Sequence, residues 1–307
     1  MEIRTHQQEN SWKAMLTLLD DPDPRVCKVV YNKLLLEGEP ILGFLELHQG
    51  LAESLEQHDK IGEIISAIRI GAIAEELLAW KRSVPQDALA GAYLVSRVVF
   101  PEISFNTILA RIERIMADLW IETHPDQTAI EKTLILNRIF FGKYLMQGHL
   151  TPHRHPDDFF LHRVLERKKG DELLIGILYQ TLAQRLHIPL KSVILPGGAF
   201  LLAYMDNDEP ADSTAAANVL FYIYPLRRGI VLEQSEILRF METHKIEPRP
   251  LLFEPTPFPV MIELLIRQIS HLYKLRQMPG REREFQQLLA RYTHEEKEAD
   301  SDNQITP

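Results

Sequence analysis

The chain has one cysteine in 307 residues. A disulfide needs two sulfurs and a thiolate zinc cage needs several, so neither forms within this chain. Cys27 is left as a lone thiol, and around it Val26, Val29, Val30, Leu34 and Leu35 recur at helical spacing. That pattern predicts a thiol on or beside a buried helical face, where free cysteine behaves as a small hydrophobe. Long apolar runs are missing too. No stretch approaches the roughly 20 residues that span a bilayer, and the start MEIRTHQQENSWK lacks the basic-then-apolar pattern of a signal peptide. The expectation is a soluble, cytoplasmic protein with no membrane partner. Basic charge is also in deficit, with 34 Lys plus Arg against 43 Asp plus Glu and a net charge of −9. Such a balance repels phosphate backbones unless the cations are segregated, so nucleic acid is not expected as a partner.

What is present is ordinary globular composition, 45% hydrophobic and 25% charged, enough for one large domain or two medium ones. The first hundred residues carry apolar positions every three or four residues, with no alternating strand pattern between them. In LTLLDDPDPRVCKVVYNKLLLEGEPILGFLELH one helix stops at the Asp-Pro cluster, a second runs to Gly38 and a third follows, like one HEAT-type unit. Further copies at a fixed period are lacking, which favours a short helical cap over a long solenoid. Four more helical patterns, divided by Pro85, Pro101 and Pro125, extend the helical layer to about residue 146.

The character changes near Gly170. A helix, DELLIGILYQTLAQRLHIP, precedes two segments of strand composition, KSVILPGGAFLLAYM and NVLFYIYPLRRGIVL, with a loop over 205–218 between them. PRPLLFEPTPFPV reads as an extended crossing, and MIELLIRQISHLYKLRQ and REREFQQLLARY read as a closing helical pair. The acidic end, 293–307, has almost nothing to bury and is expected to be disordered. Trp12, Trp80 and Trp120 lie within amphipathic patterns and are expected as core or helix–helix anchors.

The run from Phe159 to Tyr204 holds VLERKKG, then ILYQTLAQRLHIPL, then VILPGGAFLLAY, and YIYPLRRGIVL follows it. This phrase resembles the transglutaminase-like superfamily, most closely its bacterial SirB-type branch, which includes the matching region of a eukaryotic F-box protein. The resemblance covers about Leu89 to Tyr292 and takes in tetratricopeptide-like closing helices. It implies a papain-like α+β core with its helical pair over 86–292; with the all-α, HEAT-like pattern over 1–85 and the tail over 293–307, the expectation is an α+β, mostly helical chain. In active members a cysteine at the start of the central helix attacks a carbonyl, a histidine on a following strand takes its proton, and an aspartate on the next strand orients the histidine.

Carried over residue by residue, the resemblance puts Glu172 at the cysteine position, Ala199 at the histidine and Tyr224 at the aspartate. A carboxylate can cap a helix but is a far weaker nucleophile than a thiolate, alanine offers no base, and all three members of the triad are replaced. The implied function is a non-catalytic protein-binding or scaffold module whose partner is another protein. The alternative is a hydrolase or acyltransferase with a rebuilt site that uses Glu172 and His153 or His155. No cofactor is implied. Two local clusters complete the candidates. HLTPHRHPDD offers His149, His153, His155, Asp157 and Asp158 as metal ligands, although Pro152 and Pro156 make it a loop, and an ordinary polar loop is the competing reading. Arg163, Arg167, Lys168 and Lys169 offer an anion or carboxylate site, against a solvated helix end with Glu166 paired along the helix. Gly197 and Gly198 are expected to allow a bulge or close backbone packing, not phosphate cradling, since no P-loop follows.

Overall fold

The computed structural model describes residues 6–52, 54–149, 155–195, 199–206, 218–243, 245, 247 and 254–302. Backbone contacts divide the chain into two units, 1–78 with 286–307 and 79–285.

The first unit contains α1 (His6–Leu18), α2 (Pro24–Glu37), α3 (Leu42–Gly50) and most of α4 (Leu55–Arg82). The Asp-Pro punctuation does what its chemistry dictates. The Asp23 side chain accepts from Arg25 N at the start of α2, Pro24 fills the first helical position, and Gly38 ends the helix at φ +65°. Trp12, Leu34, Ile41, Leu45, Ile61 and Ile64 form the centre of its apolar core. Cys27 lies half-buried, its Sγ beside the carbonyl oxygens of Leu19 at 3.4 Å and Asp21 at 3.1 Å.

The second unit continues through α5 (Ala88–Arg97), α6 (Phe105–Glu122) and α7 (Ala129–Asn137), the last with a capping box between Thr128 and Glu131. A π-helical stretch, Arg138–Lys143, extends α7 to the point where the sequence pattern ends. Two-residue β1 (Gln147–Gly148) and β2 (Lys169–Gly170) pair in parallel around α8 (Leu161–Arg167). Then come α9 (Glu172–Arg185), β3 (Leu190–Ile194), β4 (Phe200–Met205), β5 (Val219–Tyr224), β6 (Ile230–Leu232), α10 (Gln234–Thr243) and α11 (Phe258–Leu275); α12 (Pro279–Asp302) begins in this unit and belongs from Gln286 onward to the first.

Each of the two strand-rich segments folds back on itself, so four strands form an antiparallel sheet in the order β3-β4-β5-β6. The second reversal is a 3-10 turn at Pro225–Arg227 followed by left-handed Arg228 and Gly229. Gly197 and Gly198 lie outside the described residues. Alternation gives the sheet two apolar faces. Val193, Leu195, Leu201, Ala203 and Tyr222 pack with Ile237 and Met241 of α10. On the other face Phe200 packs against Gly176 of α9, so closely that a Cβ at 176 would overlap its ring. Thr256 donates to Ser192 O and accepts from Ser192 Oγ, which ties the approach to α11 along the β3 edge.

Three sequence expectations change. α10 was not anticipated; its Ile237 and Met241, four residues apart, pack on the sheet. Trp120 is 70% exposed, because the buried stripe of α6 is Ile108, Ile112, Ile115 and Leu119 and Trp120 falls one residue past it. Trp12 and Trp80 are buried, the latter donating Nε1 to Asp87 O. Helix α12 runs on into the acidic end as far as Asp302. Among the described residues no helix is long and apolar enough to cross a membrane.

Gly176→Ala tests the α9–β4 contact. The added methyl forces Phe200 to move within a packed core, so a loss of about 1–3 kcal/mol in urea unfolding is expected. An unchanged midpoint would show that the contact is slack.

Candidate functional site

Helix α9 is buried without interruption from Leu173 to Ala183, and its N-terminus is buried with it. Its first backbone N–H groups have no intrahelical acceptors, so the fold must supply them. Asp171, 1% exposed, does so: its side chain accepts from Leu173 N at 3.0 Å. Its own N–H donates to the Asp158 carbonyl at 2.7 Å. The Asp158 carboxylate is fully buried and accepts from His155 N at 2.8 Å and Arg167 Nη1 at 3.1 Å, with His149 Nε2 at 3.2 Å. Arg167 is 38% exposed, so the chain of partners ends at water.

This network accounts for several residues offered by the sequence as ligands. His155 is an N-cap residue whose Nδ1 accepts from Asp157 N, and the Asp157 carboxylate sits 3.5 Å from the same ring nitrogen. Among the described residues no group of three or more His, Cys, Asp or Glu side chains is placed to hold a metal ion. His153 lies outside the described residues. Arg167 points at Asp158 and Asp157, Lys168 ends α8 in the left-handed conformation, and Lys169 forms the first residue of β2. The three cations therefore have three different local duties. Arg163 pairs with Glu166 at 3.2 Å, as the helical spacing anticipates.

Of the three positions that the resemblance matches to the triad, Glu172 and Tyr224 come within electrostatic reach of one another at this end of α9. Glu172 is the first helical residue rather than the cap, and its Oε1 accepts from Phe200 N at 2.9 Å. That bond joins the helix to the strand residue directly after Ala199. The Ala199 side chain and Tyr224 both pack against the α10-side cluster of the sheet. Burial pushes the Tyr224 phenol above its ordinary value, the Glu172 carboxylate pushes it further, and the Arg227 guanidinium opposes both. Tyr224 and Glu172 are thus within electrostatic reach, and Tyr224 keeps its proton at neutral pH.

Beside Glu172 is a cavity of about 70 Å³, lined by Asp171, Glu172, Leu173, Ile194, Phe200, Leu264 and Gln268. It admits a few waters or the end of one side chain, far below the several hundred Å³ of a substrate pocket. Gln268 was not anticipated. Its Oε1 is buried with no hydrogen-bond partner among the described residues, and the available signal was a polar residue between Leu264 and Leu272 on an apolar helical face. A second polar pin lies further along α9, where Tyr179 donates to Asn137 Oδ1 at 2.9 Å and Asn137 Nδ2 donates to Gly229 O at 2.7 Å. It fixes the turn between β5 and β6.

A model of the family described as transglutaminase-like superfamily matches residues 106–264, just over half of the chain. A UPF0162 protein of Xylella fastidiosa strain Temecula1 is 20% identical over 191 residues, covering 60% of this chain and 64% of that protein. Its counterpart in strain 9a5c is 21% identical over the same shares. F-box only protein 21 of Mus musculus is 26% identical over 162 residues, 45% of this chain and 25% of that one. The match thus spans less than two thirds of the length of each of these curated relatives. No solved structure matches.

Two predictions follow from the buried polar groups. Asp158→Ala removes the acceptor shared by His155 N and Arg167, and urea unfolding is expected to show a loss of about 3 kcal/mol; a loss below about 1 kcal/mol would reduce the network to the rank of a surface pair. His162, in α8, sits edge-on to Phe100 at 4.5 Å. Desolvation first, and then the charge of Arg163, push its pKa below 6.5, with Glu166 and Asp157 opposing and Arg111 adding. The unfolded histidine therefore takes up its proton first. Its stabilising contribution is present above pH 6.5 and is lost as pH falls through the lowered folded value. The Tm of the wild type is expected to fall between about pH 7 and 5, and His162→Gln to flatten that fall; parallel profiles would exclude His162 as the group responsible.

Proposed function

The chain belongs to the transglutaminase-like superfamily, and we propose that it is a non-catalytic, protein-binding scaffold of the SirB-type branch. The observation that carries this reading is the bond from Phe200 N to Glu172 Oε1. Where an active member holds a nucleophilic thiol, this chain holds a carboxylate engaged as a strut between α9 and β4. A helix N-terminus helps a thiol by favouring its thiolate; a carboxylate there is already ionised and gains stability, not reactivity.

The other two positions support the same reading. Ala199 has no atom to accept a proton, and Tyr224, with its raised pKa, offers no carboxylate to orient an imidazole. Losing one member of such a unit already costs several orders of magnitude in rate. Cys27, the only thiol, belongs to the first unit. In this proposal α1, α2 and α3 are HEAT-like helices, α11 and α12 correspond to the tetratricopeptide-like pair, and Lys168 and Lys169 flank the turn into the degenerate site. A cytoplasmic setting and another protein as partner belong to the same reading.

The test is incubation of the purified protein with a fluorescent amine donor and glutamine-containing or ester substrates. No incorporation or hydrolysis is expected from the wild type or from Glu172→Ala. Turnover that Glu172→Ala abolishes would overturn the proposal. As a strut, Glu172 is worth about 1 kcal/mol, so Glu172→Ala is expected to lower the Tm by a few degrees.

A further inference from the structure

Helix α2 carries three cations, Arg25, Lys28 and Lys33, and its only acidic residue is Glu37 at the far end. All three cations are exposed, and among the described residues none forms an ion pair. The carboxylates that flank the helix are engaged elsewhere. Asp20 pairs with Lys60, Asp21 accepts from Asp23 N, Asp23 caps the helix, and Glu37 accepts from Trp12 Nε1. Nor do the cations serve the helix: Arg25 stands in the first turn, at the positive end of the dipole, and the last turn has no basic residue.

The same face exposes apolar surface. Leu36 is 86% exposed and Val29 56%, while Val30 and Leu34 on the opposite side are buried in the core. At 100° per residue, Arg25, Lys28, Val29, Asn32, Lys33 and Leu36 fall within an arc of about 140°. From Arg25 to Leu36 the strip is roughly 17 Å long. It is a narrow basic and apolar stripe, three helical turns in length, on a chain whose net charge is −9.

We propose that the outward face of α2 docks an acidic amphipathic helix of a partner protein, whose leucine-type side chains cover Val29 and Leu36 while its carboxylates pair with Arg25, Lys28 and Lys33. Charge complementarity selects the sign of the partner, and the width of the stripe selects a single helix packed ridge into groove. An anionic bilayer fits less well. The helix cannot roll to offer more apolar surface to a membrane because Val30 and Leu34 hold it in the core. The site is separate from Glu172, so docking at α2 and the loss of thiol chemistry stand or fall independently.

The test uses the full-length protein and a fluorescein-labelled synthetic helical peptide of about 16 residues, with a leucine stripe flanked by glutamates at i, i+4 spacing, followed by anisotropy. Binding that weakens with salt is expected. Lys28→Glu combined with Lys33→Glu is expected to weaken it by on the order of tenfold or more, and Leu36→Gln by several-fold. Because these side chains are exposed, far-UV circular dichroism and Tm should match the wild type, and Glu113→Lys, at an exposed position of α6 in the second unit, serves as a charge control that leaves binding intact. The proposal is overturned by no binding at peptide concentrations up to about 1 mM, by equal binding of a peptide with lysines in place of glutamates, or by indifference to the α2 substitutions. Stronger capture by phosphatidylserine vesicles through the same residues would also overturn it.

Discussion

Burying the N-terminus of α9 is the constraint on which the second unit depends. A helix end in water leaves its free N–H groups to the solvent; a helix end in a core must have acceptors brought to it, or lose the desolvation energy of each group. Asp171 answers the first demand, and because it is itself 1% exposed it creates the next. Its N–H uses the Asp158 carbonyl, and the fully buried Asp158 carboxylate in turn needs the His155 N–H, the His149 ring and Arg167. The sequence of demands closes only where the guanidinium reaches water. A loop, a short helix and the parallel pair β1 and β2 are thereby fixed by the needs of one helix end.

The same constraint governs the link between α9 and the sheet. Gly176, one turn into the helix, lets the Phe200 ring lie against the helix, which brings the Phe200 N–H within reach of Glu172. The close approach comes from the missing Cβ, and the polar bond completes what the packing begins. Further along, Tyr179, fully buried, holds Asn137 and through it the Gly229 carbonyl, so the far turn of the sheet is referred to the same helix. Apolar packing sets the distances in this unit, and a few buried polar bonds set the register.

Much of this was legible in the sequence, for reasons that differ by element. Asp23-Pro24 and Gly38 announced α2 because caps and proline act locally. The alternating apolar runs announced strands, but not that each run held two, since the reversal at Pro225–Gly229 depends on left-handed backbone at Arg228 and Gly229 that composition alone does not specify. Helix α10 carried its signal in the helical spacing of Ile237 and Met241, but what that face and Gln268 pack against comes from distant residues that local pattern does not supply. His149, His155, Asp157 and Asp158 stood out as a cluster, yet the same residue types that ligate metals also cap helices and neutralise arginine. Only their distances separate the two uses.

Glu172, Ala199 and Tyr224 differ from the residues of the buried polar network in how far the fold depends on them. Asp171, Asp158, Arg167, Gly176 and Asn137 satisfy burial, and a change at any of them leaves a charge, a carbonyl or a ring without its place. Ala199 and Tyr224 lie against an apolar cluster beside α10, where a small side chain and a half-buried phenol both pack without a polar partner being owed. Position 172 is the exception, being close enough to the buried helix end that whatever stands there feels the dipole. A carboxylate at that point is favoured by the positive end of the helix, and its bond from Phe200 N ties α9 to β4.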